Sequence, residues 1–165
     1  MKGVWGLVGP STTGDPTVFA SMDKGFGAGI GSIMKTCTTR ELLSGTTVKL
    51  DVFSYHYYNG ASERVAAISP SSHWSAEEAH GEEYLSVAPA LAKAHAAQRD
   101  EYVPGGQMWV TESGDAGGGG NTWASTYLDV LRTLNELGSF ATILTLHIKF
   151  IETNIVQEHI DRTGN

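Results

Sequence analysis

Short runs rich in β-branched and aromatic residues alternate along this chain with longer runs of helical character, and that alternation constrains the fold more than any other feature. Strands separated by helices pair in parallel, each helix crossing back over the sheet. Val4 to Val8 reads as a first strand, ended by Gly9-Pro10. Asp15-Pro16 follows as cap and first turn of a helix that runs into Val18, Phe19 and Met22. Residues 25–31 carry glycine at every second position, match neither dinucleotide nor phosphate-loop spacing, and read as a flexible or close-packed connection. Val48 to Tyr58 reads as a second strand, with Asn59-Gly60 as its turn. Ser75 and Glu78 have capping-box spacing, and a helical region follows to about Arg99, interrupted at Gly81 and Pro89. Met108 to Thr111 reads as a third strand running into Glu112. Asn121 or Thr122 then caps a helix with Trp123, Tyr127, Leu131 and Leu134 on one face, stopped by Gly138, and Ala141 to Ile151 reads as a fourth strand.

A chain of 165 residues supplies about four such strand–helix units, whereas an eight-stranded βα barrel needs at least about 200 residues. The expected fold class is therefore α/β with a parallel sheet, either a small open sheet or part of a barrel. Eleven basic against 18 acidic residues give a net charge of -7, which argues against a general affinity for nucleic acid or anionic lipid. No apolar run is long enough for a membrane span, and the N-terminal run is too short for a secretory signal. Cys37 is the only cysteine, so no internal disulfide and no thiolate pair for zinc or an iron–sulfur cluster can form; a buried thiol is expected. His73 and His80, near Glu77 and Glu78, fit no zinc spacing. No metal and no cofactor is expected.

Ligands of parallel α/β folds meet the carboxyl ends of strands, and two strand ends here carry unusual side chains. In Ser54-Tyr55-His56-Tyr57-Tyr58-Asn59, alternation puts Ser54, His56 and Tyr58 on one face and Tyr55 and Tyr57 on the other. His and Tyr together can orient a carboxylate; an aromatic strand with a satisfied core histidine is the plain alternative. In Trp109-Val110-Thr111-Glu112-Ser113-Gly114-Asp115-Ala116, a carboxylate directly follows an apolar strand, where burial is costly unless it is paired. The four glycines from Gly117 to Gly120 allow backbone amides to approach an anionic ligand. A solvated glutamate before a glycine-rich surface loop is the plain alternative there. Gly120 is followed by Asn121-Thr122 and not by Lys then Ser or Thr, so the run is no phosphate loop.

Taken together, Val8-Gly9-Pro10-Ser11, Asp51 to Tyr58 and Trp109 to Ser113 with its glycine run resemble family 79 of the glycoside hydrolases, the heparanase and β-glucuronidase group, over approximately residues 4–140. The resemblance implies a partial (βα)8 barrel over residues 1–140, a divergent segment over 141–165, and retaining hydrolysis of β-glucuronides or related uronic-acid glycans. It implies Glu112 as the catalytic nucleophile and His56 and Tyr58 as the residues that hold its carboxylate. The aromatic motif is one residue shorter than in heparanase, so Tyr57 could take the place given to Tyr58. Tyr57, Asn59, Gly118 and Gly119 correspond to substrate-binding positions, the two glycines contacting the uronate.

The family's acid/base glutamate follows an asparagine on the fourth barrel strand. The only Asn-Glu pair here, Asn135-Glu136, lies in the helix after the nucleophile. On this resemblance the acid/base precedes residue 1, and the chain alone is expected to be inactive. Half a barrel would also leave apolar residues uncovered, a liability for self-association. Two alternatives stand beside this reading: a non-catalytic carbohydrate-binding or self-associating fragment, and an unrelated small α/β enzyme using Glu112 as a base with His56. Members of the family are often extracellular or lysosomal; the sequence assigns no compartment.

Overall fold

The computed structural model describes residues 6–13, 15–19, 24, 36–68 and 70–143. They form a mixed α/β fold around a three-stranded parallel sheet of order β1–β2–β3: β1 (Val8–Thr12), β2 (Val52–Ala61) and β3 (Gln107–Gly117). The helices are α1 (Pro16–Phe19), α2 (Thr39–Leu43), α3 (Glu82–Tyr102) and α4 (Leu128–Ile143), with a 3-10 turn at Pro70–Ser72. Among the described residues no helix is long and apolar enough to cross a membrane.

Each strand ends further toward the C-terminus than composition places it. β1 runs through Gly9-Pro10 and ends at Thr12; as an edge of this sheet it tolerates a residue without a donor N–H. β2 begins at Val52, leaving Val48 exposed, and continues through Asn59-Gly60. That pair is no turn here. Asn59 Nδ2 donates to the Tyr84 carbonyl at 2.8 Å, and Trp74 Nε1 donates to the Asn59 carbonyl at 2.9 Å. Gly60 lets the indole ring close over the strand, since a Cβ there would meet Trp74 Cδ1 at 2.7 Å. β3 extends to Gly117, so Asp115 belongs to the strand and not to the glycine loop.

The Asp15 cap forms as its sequence implies, its Oδ1 accepting the Thr17 N–H at 2.9 Å. Its other oxygen accepts the Thr39 N–H and Gln98 Nε2, tying α1, α2 and α3 together. Burial pushes this carboxyl up, but the bonds from Thr17 and Thr39 outweigh it and hold the pKa at about 2. The Ser75–Glu78 capping bonds also form, yet residues 76–80 are turns. The extended backbone of Gly81 separates them from α3, which starts at Glu82 and passes through Pro89 without interruption. Cys37 is exposed, contrary to the expected buried thiol. The glycine run 25–31 and residues 144–151 of the expected fourth strand lie outside the described residues; Ala141 to Ile143 are helical.

One face of the sheet packs on the helices. Phe53, Tyr55 and Tyr57 point into this layer, where His95 of α3 stacks on Tyr55 at 4.1 Å and Phe140 of α4 meets Tyr57 edge-on at 5.9 Å. Tyr84 lies between Trp74 and Trp123 at 5.3 and 5.9 Å. Burial pushes the His95 imidazole down to about 4, despite its contact with Gln98.

The largest departure from the sequence expectation is α4. It continues through Gly138, and its expected core stripe faces outward: Tyr127, Leu131 and Leu134 are exposed, while Trp123, before the helix, is buried. The side facing the core carries Asp129, Arg132, Glu136 and Phe140. Arg132 donates to both oxygens of Asp129, at 2.6 and 3.1 Å, and to Glu136 one turn on. A guanidinium between two carboxylates is the arrangement in which buried charge is tolerated.

Candidate active site

The other face of the sheet, the open face, is partly exposed around His56, Trp109, Thr111 and Glu112, and buried at Ser54 and Tyr58. Alternation puts Ser54, His56 and Tyr58 there on β2, as the sequence implies. On β3 the phase is set by an irregularity: Val110 pairs with Tyr55, but the next pair is Glu112 with His56. Thr111 is thus an extra residue in the ladder, a β-bulge. Its effect is to turn Glu112 onto the face that carries His56.

His56 Nδ1 and Glu112 Oε2 stand 3.2 Å apart, with side chains 25% and 33% exposed. Both groups are accessible to a ligand, and each is partly removed from water. Beside them lies a hydroxyl cluster that the sequence did not reveal. Ser11 Oγ is 2.8 Å from Ser54 Oγ and 3.5 Å from Thr111 Oγ1, and Thr111 Oγ1 also donates to the Tyr55 carbonyl at 3.4 Å. Ser11 reaches this position in a left-handed backbone conformation, φ 57°, which costs a non-glycine residue about 1–2 kcal/mol. Strain of this kind collects at functional sites. Only Ser54 was readable in advance, through its shared face with His56; Ser11 and Thr111 depend on backbone irregularities that leave no compositional mark.

The remaining candidates fall elsewhere. Tyr58 shares the face of His56 and is buried. Tyr57 is one residue out of phase, so it points into the helix-covered layer against Phe140, away from the face that carries His56 and Glu112. Asn59 also points away, committed to Tyr84 and Trp74. Gly118 and Gly119, at φ 97° and 109°, open the loop after β3. They follow the last residue of β3, six and seven positions past Glu112.

That loop is anchored by Asp115, whose carboxylate accepts the Asn121 N–H at 2.9 Å, and by Ser62, whose hydroxyl donates to the Gly120 carbonyl at 2.6 Å. Burial pushes Asp115 up to about 6, with Asp129 adding to the rise and the Asn121 amide and Arg132 opposing it. Three residues past Glu112, it lies on the helix-covered face. Within the three described strands, Glu112 is the sole carboxylate on the open face. Among the described residues no group of three or more His, Cys, Asp or Glu is placed to hold a metal ion.

A half-exposed carboxylate against an imidazole can serve as a nucleophile or as a base. Compared with known proteins, the chain matches no protein-family model and no curated protein.

Proposed function

We propose that this chain carries the nucleophile portion of a retaining glycoside hydrolase of the family 79 type, acting on β-glucuronides or related uronic-acid glycans, and that its three described strands are successive strands of a (βα)8 barrel. The observation that carries this reading is the 3.2 Å contact of His56 Nδ1 with Glu112 Oε2 on an open sheet face. The two residues come from separate motifs 56 positions apart in the sequence. The choice of uronic-acid glycans rests on the likeness of those motifs to the family.

In this chemistry the Glu112 carboxylate attacks the anomeric carbon, the glycosidic bond breaks, and a glycosyl ester forms that water later cleaves. His56 is a positioning residue that fixes the attacking oxygen. A second carboxyl group about 5–5.5 Å away must protonate an ordinary leaving oxygen. The open face of the described strands offers none, so those strands by themselves would turn over a simple aryl glucuronide slowly or not at all.

A fluoride leaving group needs no such proton, which allows the nucleophile to be tested by itself. Incubation with 2-deoxy-2-fluoro-glucuronyl fluoride should release fluoride and leave a covalent ester on Glu112, visible by intact mass and peptide mapping, and Glu112→Gln should show none. A folded native chain that acquires no adduct at Glu112 refutes the proposal. The lone carboxylate also favours a second reading, binding without turnover. Heat on titration with glucuronic acid in the absence of any adduct would select it.

A further inference from the structure

We propose that α4 is a self-association surface, through which two copies of this chain pair with their α4 helices antiparallel. This inference goes beyond the glycosidase reading and does not depend on it. The observation behind it is the inverted helix. Tyr127, Val130, Leu131, Leu134 and Leu137 are all exposed, Tyr127 by 81% and Leu134 by 60%. At 3.6 residues per turn they form one stripe, opposite the side that buries Asp129, Arg132 and Glu136.

Three features of the stripe indicate a second copy as its occupant. The first is spacing. Positions 127, 130, 134 and 137 are symmetric about position 132, and their three–four–three intervals are those of a helix–helix seam. A two-fold axis there sets Tyr127 against the partner's Leu137 and Val130 against the partner's Leu134, with Leu131 near the centre. Such a patch is self-complementary, as an isologous dimer requires. The second is charge. The chain carries -7 overall, yet every charged residue of α4 is turned inward, so the stripe meets its copy without like-charge repulsion. The third is area. The exposed fractions of the five side chains leave about 500 Å² on each copy, so pairing removes at most about 1,000 Å², the size of a weak, transient interface. A reversible dimer is expected at that size.

Sedimentation velocity of the full chain over a range of concentrations tests this. The native chain should shift from monomer to dimer, and Leu134→Glu should weaken association about tenfold or more, as for loss of a central contact, with an unchanged circular dichroism spectrum. Leu42→Glu, at another exposed leucine, should leave the dimer intact. In a Cys37→Ser background, mixing Val130→Cys with Leu134→Cys chains should give more disulfide-linked dimer than either chain alone. A native chain monomeric at every concentration overturns the proposal, as does a dimer indifferent to Leu134→Glu. A monomer whose Leu134→Cys thiol resists alkylation would show the stripe covered from within the chain, and would overturn it too.

Discussion

Two buried groups titrate in opposite senses across the same pH range, and their opposition makes a sharp prediction about stability. His95 has an ordinary value of 6.5 and is held at about 4 in the fold; Asp115 has an ordinary value of 3.8 and is raised to about 6. For His95 the unfolded chain binds the proton first, so its contribution is fully present above pH 6.5 and is lost as pH falls toward 4. For Asp115 the folded chain binds the proton first, so its contribution is fully present below pH 3.8 and is lost as pH rises through 6. A pKa difference of one unit between folded and unfolded states corresponds to about 1.4 kcal/mol. Each group therefore changes stability by about 3 kcal/mol between pH 6.5 and 4, His95 downward and Asp115 upward on acidification. In the native chain these two contributions nearly cancel across this interval.

Substitution separates the two. Asp115→Asn keeps an acceptor for the Asn121 amide and removes the titration. It should expose a loss of about 3 kcal/mol on going from pH 6.5 to 4, a large share of an ordinary domain's 5–15 kcal/mol. His95→Phe keeps an aromatic ring against Tyr55, and Gln98 keeps Thr39 as a donor to its Oε1. That variant should gain about 3 kcal/mol over the same interval. Urea unfolding at half-unit pH steps measures both, and because each variant is compared only with itself, a constant cost of substitution cancels. Asp15, held at about 2, releases its contribution only below pH 3.8 and does not enter the interval. Equal slopes for the native chain and Asp115→Asn would refute the reasoning, because the Asp115 carboxyl would then not be titrating in a buried setting.

Gly138 sits inside α4 with open space around its Cβ direction, so Gly138→Ala should stabilise the chain by up to about 1 kcal/mol, read as a higher melting temperature. Arg132→Met leaves Asp129 and Glu136 buried without the guanidinium between them. It should cost about 3–5 kcal/mol in urea unfolding, with Arg132→Lys retaining part of that.

What the sequence disclosed followed from periodicity, and what it concealed depended on the third dimension. The face shared by Ser54, His56 and Tyr58 needs only the two-residue repeat of a strand, and it stands as read. The Asp15 cap is equally local. Asn59-Gly60 has the composition of a turn, but Trp74, fourteen residues past Gly60, closes over Gly60 and draws the pair into the sheet. For α4 the sequence carries two stripes, one of leucines and one at Asp129, Arg132 and Glu136. Periodicity shows that both exist without deciding which meets the core. That layer holds the buried phenols of Tyr55 and Tyr57, and the negative charge of Glu136 adds to the burial that pushes both phenols up. In the fold the charged stripe faces the core, its carboxylates joined through Arg132, and the leucines are left outside.

The candidate nucleophile itself depends on one residue of irregular backbone. Were β3 a regular strand from Gln107 onward, the two-residue repeat that puts Trp109 opposite Ser54 would turn Thr111, Ser113 and Asp115 onto the open face and send Glu112 into the helix layer. The extra residue at Thr111 reverses that phase. Glu112 is then delivered to His56 at an accessible surface, while Asp115 is delivered to the neighbourhood of Asp129 and Arg132, where burial raises it. Two carboxylates three residues apart thus acquire opposite roles, one at the site and one in the core. The Thr111 hydroxyl, bonded to the Tyr55 carbonyl and within reach of Ser11, braces the backbone where the switch occurs. The bulge and the hydroxyl cluster are therefore best understood as one device that aims Glu112.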